Sequence, residues 1–167
     1  MLRWKQLALV FSFLFLLPAL APAMEQGEPA PDFKLPTLEG ETVRLSDYRG
    51  RIILLKLATT WCPTCKQQSE AIEDAEAYLK EKNVAVLEVF LQDSESMVRK
   101  YREKNTVNLD FVTLLDDGSV RKAYNVYLIP RVLFIDQEFK VRRDGSIMSA
   151  KQLILEVDKM ADVGDSE

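Results

Sequence analysis

The 167-residue chain has no histidine and only two cysteines. A closed Cys/His zinc site therefore cannot form within one chain. Covalent haem attachment needs C-x-x-C-H, and Lys66 stands where the histidine would be. No G-x-G-x-x-G turn, phosphate loop or histidine-based site is present, so neither a cofactor nor a metal is expected. There is no excess of positive charge. The formal net charge is −4, and a mildly acidic protein has no electrostatic reason to bind nucleic acid. The one basic stretch, Arg99-Lys100-Tyr101-Arg102, lies on an amphipathic helical pattern with Glu95 and Glu103 and reads as a solvated face. Internal repeats and low-complexity tracts are also lacking.

What is there is concentrated in Trp61-Cys62-Pro63-Thr64-Cys65, which holds both cysteines. An apolar run, Ile52 to Ala58, leads into it. A helical pattern follows, with Cys65, Gln68, Ile72, Ala75 and Leu79 on one face. A buried strand entering a helix whose first turn carries C-x-x-C is the sequence form of a thioredoxin-like redox site. Cys62 falls at the N-cap, where free N–H groups and the helix dipole favour a thiolate, the form that attacks disulfides. Pro63 falls at the first helical position, where a missing N–H costs nothing. Cys65, one turn on, is placed to close a disulfide ring with Cys62 and to resolve a mixed disulfide. A purely structural bridge closing so short a loop would constrain the unfolded chain little.

The run Ala58-Thr59-Thr60-Trp61-Cys62-Pro63-Thr64-Cys65, with Ile129-Pro130 further on, resembles the extracytoplasmic thioredoxin-like proteins of the TlpA/ResA/CcmG group. The resemblance covers roughly residues 29 to 162. It implies a thiol–disulfide oxidoreductase, often one tied to cytochrome c maturation. The implied partners are a disulfide-bearing client, such as apocytochrome c or its thiol chaperone, and a membrane reductant of DsbD type.

Residues 1–23 read as a secretory signal: Arg3 and Lys5, an apolar stretch from Leu7 to Leu17, then Ala21-Pro22-Ala23. Cleavage before Met24 would take the net charge to −6. An uncleaved membrane anchor is the alternative, although the apolar run is short for a span. No cysteine follows for a lipid anchor. Export would place the protein in the periplasm or an equivalent extracytoplasmic space, where disulfides persist. The expected organisation is a signal over 1–23, a linker over 24–30, a thioredoxin-like domain over 31–163 and a tail over 164–167.

The fold class is α/β. An N-terminal hairpin turning at Gly40 precedes a core strand over 51–58 and an active-site helix over 63–82, ended by Asn83. A second buried strand spans 84–91. Asp93 or Ser94 caps a helix running to about Lys104. A strand over 111–115, a turn at Asp117-Gly118 and a short helix over 119–124 follow. Strands over 132–135 and 139–143 form a hairpin. Ser149 and Gln152 make a capping box for a last helix that buries Leu153, Val157 and Met160. This order predicts a thioredoxin fold, a central mixed sheet flanked by helices, with an N-terminal β-hairpin and an inserted α-β element.

The resemblance assigns further roles. Trp61 and Pro63 support the active site. Pro130 is cis and packs against the Cys62–Cys65 disulfide. Ile129, before it, offers backbone hydrogen bonds to a bound partner. On its own the sequence also permits an ordinary trans proline at a strand start. The family usually has a small residue after this proline. Here Arg131 stands there and suggests an acidic client. Thioredoxins carry a buried acid six residues before the first cysteine and a lysine on the neighbouring strand. In this chain the charges look exchanged, with Lys56 on the first strand and Glu88 on the second. Either the two pair beneath Cys65, with Lys56 favouring the thiolate and Glu88 carrying protons, or one or both reach solvent at a strand end. Asp93 is the nearest match to the group's acid beside the active site; capping a helix is its competing role.

Two further redox readings compete with this one: a general disulfide oxidant or isomerase, and a thiol peroxidase of the AhpC/TSA type. Thr59 lies three residues before Cys62, as in peroxiredoxins, but Leu55 replaces their proline. A Sco-type copper module would need C-x-x-x-C and a histidine.

Overall fold

The computed structural model describes residues 24–105 and 112–164, with side chains to residue 161. The signal read over 1–23, Phe111 and residues 165–167 lie outside the described residues. The expected α/β architecture is found. β1 (Lys34–Pro36) and β2 (Thr42–Arg44) form the antiparallel hairpin. Gly40, with φ of 83°, makes its turn in a region where a side chain would be strained.

The central sheet runs in the order β5-β4-β3-β6-β7. β3 (Ile53–Ala58) and β4 (Ala85–Phe90) lie parallel at its centre, and β5 (Val112–Leu115) continues parallel at one edge. β6 (Arg131–Ile135) and β7 (Val141–Gly145) are antiparallel on the other side. The helices are α1 (Pro63–Asp74), α2 (Glu76–Glu81), α3 (Glu95–Lys104), α4 (Ser119–Ala123) and α5 (Ala150–Gly164). None of the described helices is long and apolar enough to cross a membrane.

β3 is apolar apart from Lys56 because both of its faces are covered. Ile53, Leu55 and Leu57 join one core with Leu35, Leu45, Val120 and Tyr124 from the hairpin side and α4. Leu54, one residue out of phase, packs on the other face with Ile72, Leu79, Leu153 and Val157 from α1, α2 and α5. This period of two puts Lys56 on the face covered by α1. α3 lies near Phe90 through Val98, in a smaller cluster with Leu38.

Three boundaries differ from expectation. The helix expected over 63–82 breaks at Ala75, whose N–H bonds back to Ile72 rather than one residue earlier. No proline or glycine announces the break, and alanine is the best helix former, so packing sets it. Ile72, Ala75 and Leu79 all remain buried across it. The last strand begins at Val141, not Phe139. Phe139 takes a left-handed φ of 69°, and the Asp136 carboxylate accepts the Lys140 N–H, so these residues build a turn instead. Residues 24–30 are not a free linker. The Gly27 N–H donates to the Val141 carbonyl, the Val141 N–H donates to the Glu28 carbonyl, and Pro29 bridges to Lys140, so the segment covers the outer edge of β7. The Ser149–Gln152 capping box forms as read.

Candidate active site

β3 ends at Ala58 and the chain turns into α1 with Cys62 as its N-cap and Pro63 at the first position. Cys62 and Cys65 are joined as a disulfide, with their Cα atoms 5.2 Å apart. The Cys62 sulfur accepts the Cys65 N–H at 3.1 Å and lies 3.3 Å from the Thr64 hydroxyl. Both contacts are neutral. Cys62 is 7% exposed and Cys65 1%, so the outer sulfur is the one a protein partner meets first. Ala58, the two cysteines and Ile129 form one small apolar cluster. Ile129-Pro130 is a cis peptide, as the resemblance implied, and Pro130 is buried. Trp61 projects from the lip, 66% exposed.

The strand register resolves the question of the two core charges. Lys56 lies opposite Glu88, and Glu88 opposite Thr113, in one polar row across β3, β4 and β5. Both charged side chains are fully buried. The Lys56 Nζ donates to Glu88 Oε1 at 2.5 Å and to the Ser69 hydroxyl at 2.5 Å. Ser69 in turn donates to the Cys65 carbonyl at 3.4 Å. The pairing reading is therefore the one that holds, and neither group reaches solvent. Burial pushes the Lys56 amine below the ordinary lysine value, against the pull of Glu88.

Two members of this network, Arg102 and Ser69, are absent from the site residues expected from the sequence. Arg102 donates to Glu88 Oε2 at 2.5 Å and to the Thr113 hydroxyl at 2.7 Å. It belongs to the basic run read as a solvated face, and that reading fails for it. Its half-buried guanidinium also lies over the Phe90 ring. Arg99 of the same run donates to Glu95 and to the Leu38 carbonyl. Ser69 carried a usable signal, since it lies four residues after Cys65 on the active-site helix. Arg102 carried none, because a strand and an inserted helix had to fold together to bring it there. Gln68 was read only as part of a helix face. It is buried, and its carbonyl accepts the Met148 N–H at 2.6 Å.

Arg131 requires a correction. Its guanidinium turns inward to the Asp144 carboxylate and to the carbonyls of Tyr124 and Asn125. Asp144 lies on β7, thirteen residues away, so no local pattern announces the pair. A charge already matched by Asp144 is not offered to an acidic client.

Asp93 is also settled. Ser94, not Asp93, caps α3 by accepting the Met97 N–H. Asp93 is buried and accepts both the N–H of Thr60 at 2.7 Å and its hydroxyl at 2.8 Å. It thereby fixes the turn that carries Trp61 and Cys62. Asp93→Ala leaves the Thr60 N–H without that acceptor and is expected to cost about 1–3 kcal/mol in urea unfolding. The alkylation rate of reduced Cys62 should change by a few-fold at the same time; an unchanged rate would make Asp93 purely structural.

The AhpC/TSA family profile matches residues 26–144. Thioredoxin-like protein YneN of Bacillus subtilis is 33% identical over 117 residues, spanning 69% of this chain and 68% of that protein. Thiol-disulfide oxidoreductase ResA of Geobacillus kaustophilus is 33% identical over 122 residues, 72% of this chain and 69% of that one. Among solved structures, a Chlorobium tepidum chain provisionally called thiol:disulfide interchange protein DsbE superposes with a TM-score of 0.72. It is 28% identical and covers 83% of this chain and 97% of its own. The thioredoxin domain of oxidoreductase BVU-2223 from Bacteroides vulgatus gives the same TM-score at 22% identity, covering 81% and 97%. That likeness speaks for the fold.

Proposed function

Because this chain belongs to the AhpC/TSA family, and within it is a thiol–disulfide oxidoreductase of the ResA/DsbE type, we propose that it works outside the cytoplasm as a reductant of client disulfides. One observation carries the assignment of roles: Cys62, capping α1, is the less deeply buried of the two cysteines, with Cys65 one turn behind it.

In the dithiol form, the Cys62 thiolate attacks one sulfur of the client disulfide. The client S–S bond breaks, a Cys62–client bond forms, and the client's other sulfur leaves as a thiolate that takes up a proton. The Cys65 thiolate then attacks the Cys62 sulfur and releases the second client thiolate. Two electrons pass to the client, and the Cys62–Cys65 disulfide remains. A membrane reductant of DsbD type restores the dithiol. The hydrogen-bond partners of the Cys62 sulfur are two neutral groups, the Thr64 hydroxyl and the Cys65 N–H. That supports a modest thiolate bias, and so a reducing rather than a strongly oxidising couple. Ile129, packed on both cysteines, and Pro130 beside it would seat the client backbone.

The client class is the apocytochrome c C-x-x-C-H segment or a thiol chaperone that carries it. To test this, the reduced protein is mixed with a disulfide-bonded C-x-x-C-H peptide and both partners' thiols are counted. Stoichiometric peptide reduction is expected. Oxidation of the dithiol peptide by the disulfide form, without the forward reaction, would reverse the assignment. Turnover of hydrogen peroxide at a comparable rate would favour the peroxidase reading instead.

A further inference from the structure

A cleft of about 510 Å³ opens between the start of α1 and the outer face of α3, and Cys62 is part of its wall. Trp61, Pro63, Met97 and Tyr101 give it an apolar floor, and both Trp61 and Met97 are exposed. Three lysines stand around it: Lys66 from α1, and Lys100 and Lys104 from α3, one turn apart. All three are exposed, and none makes an ion pair among the described residues. Some surface lysines of this chain are matched within their own helix, while Lys34, Lys122, Lys140 and Lys151 are, like these three, exposed without an ion pair among the described residues. Lys80 lies on Glu76 and Lys159 on Glu156, each within a helical turn. What sets Lys66, Lys100 and Lys104 apart is their placement: all three line one cleft together with Cys62.

The nearest acids line an adjoining pocket that Lys66 and Lys104 also line. Glu70 and Glu73 line the continuation of the cleft along α1, one and two turns beyond Lys66. The end beside Cys62 is lined by cations and no acid, and the adjoining end carries both carboxylates together with two of the same lysines. Arg131, on the opposite side of the disulfide, is neutralised by Asp144 and adds no charge to the docking surface.

We propose that this cleft is the groove in which the client docks, and that it selects a protein segment with acidic residues within a few positions of the client's cysteine. The apolar floor takes a side chain of that segment, and the three lysines meet its carboxylates. The proposal deepens the oxidoreductase reading and rests on it. Unmatched rim charges of this kind act chiefly on encounter and partner choice, so their effect is largest at low salt.

The test uses the reduced full-length protein and two disulfide-bonded peptides that differ only beside the cysteine. One carries glutamates there, and the other carries glutamines. The acidic peptide should be reduced roughly tenfold faster in low salt, and the ratio should fall toward one near 0.5 M salt, about where screening becomes short-ranged. In the triple variant Lys66→Gln, Lys100→Gln, Lys104→Gln the ratio should collapse even in low salt. Lys151→Gln, on the exposed side of α5, should leave it unchanged. Equal rates in the wild type, or a preference that survives the triple change, would overturn the groove while leaving the redox reading intact. Failure to reduce either peptide would overturn both. Lysine-dependent binding to vesicles of anionic lipid, with no peptide preference, would overturn the groove in favour of a membrane surface.

Discussion

Cys62→Ser abolishes disulfide reduction, with a loss of roughly a thousandfold or more, because a serine hydroxyl is not an effective nucleophile toward sulfur at neutral pH. Cys65→Ala has a different outcome. Cys62 still attacks, but nothing resolves the product, so the protein stops after one event as a stable mixed disulfide with its client. The asymmetry follows from placement. Cys62 is at the N-cap and 7% exposed, whereas Cys65 is 1% exposed. Mass spectrometry of each variant after exposure to a disulfide peptide distinguishes them. An adduct of one peptide per chain is expected for Cys65→Ala and none for Cys62→Ser. An adduct on Cys65 in the serine variant would exchange the two roles.

The second large effect lies behind the disulfide. Glu88 is held between two cations, Lys56 on one oxygen and Arg102 on the other, both at 2.5 Å. Glu88→Gln leaves both cations without their carboxylate, one of them fully buried. Removing one member of a buried ion pair costs about 3–5 kcal/mol, a large share of a domain stability of about 5–15 kcal/mol. Lys56→Met is milder, at about 1 kcal/mol or even neutral, because Glu88 keeps Arg102 and an apolar side chain fills the space. Urea midpoints should therefore rank wild type and Lys56→Met well above Glu88→Gln.

Burial lowers the Lys56 pKa in the fold from its ordinary value of 10.5. The unfolded chain then binds that proton more tightly, so between the two values the unfolded state carries more protons and stability rises with pH. The wild type should gain on Lys56→Met as pH climbs toward 10.5. Lys56 reaches the active-site helix through Ser69 and the Cys65 carbonyl, so losing its charge should raise the Cys65 thiol pKa. Thiols that titrate alike in wild type, Lys56→Met and Glu88→Gln would leave the network with a structural role only.

The parts of this site that could be read from the chain are the local ones. A strand running into Cys62-Pro63-Thr64-Cys65 fixes the N-cap, the first helical position and the inward face, because each depends on residues within a turn or two. The Ser149–Gln152 box is legible for the same reason. Lys56 and Glu88 could be placed on core strands, but their pairing depends on a register between strands 32 residues apart. Arg131 misled because its partner, Asp144, arrives only when β6 and β7 form a hairpin. The run from Arg99 to Arg102 shows the limit most clearly. One amphipathic pattern distributes its cations to the hairpin carbonyl of Leu38, to the rim of the cleft and to a buried glutamate. Helical periodicity gives a direction around the axis; it does not say what waits there.

The reduction potential of the Cys62–Cys65 pair, measured by equilibration with a glutathione buffer and thiol labelling, tests the central claim most directly. A reductant of client disulfides requires a value near that of thioredoxin, roughly −270 mV. A value near that of DsbA, roughly −120 mV, would make the protein a disulfide donor and contradict the account.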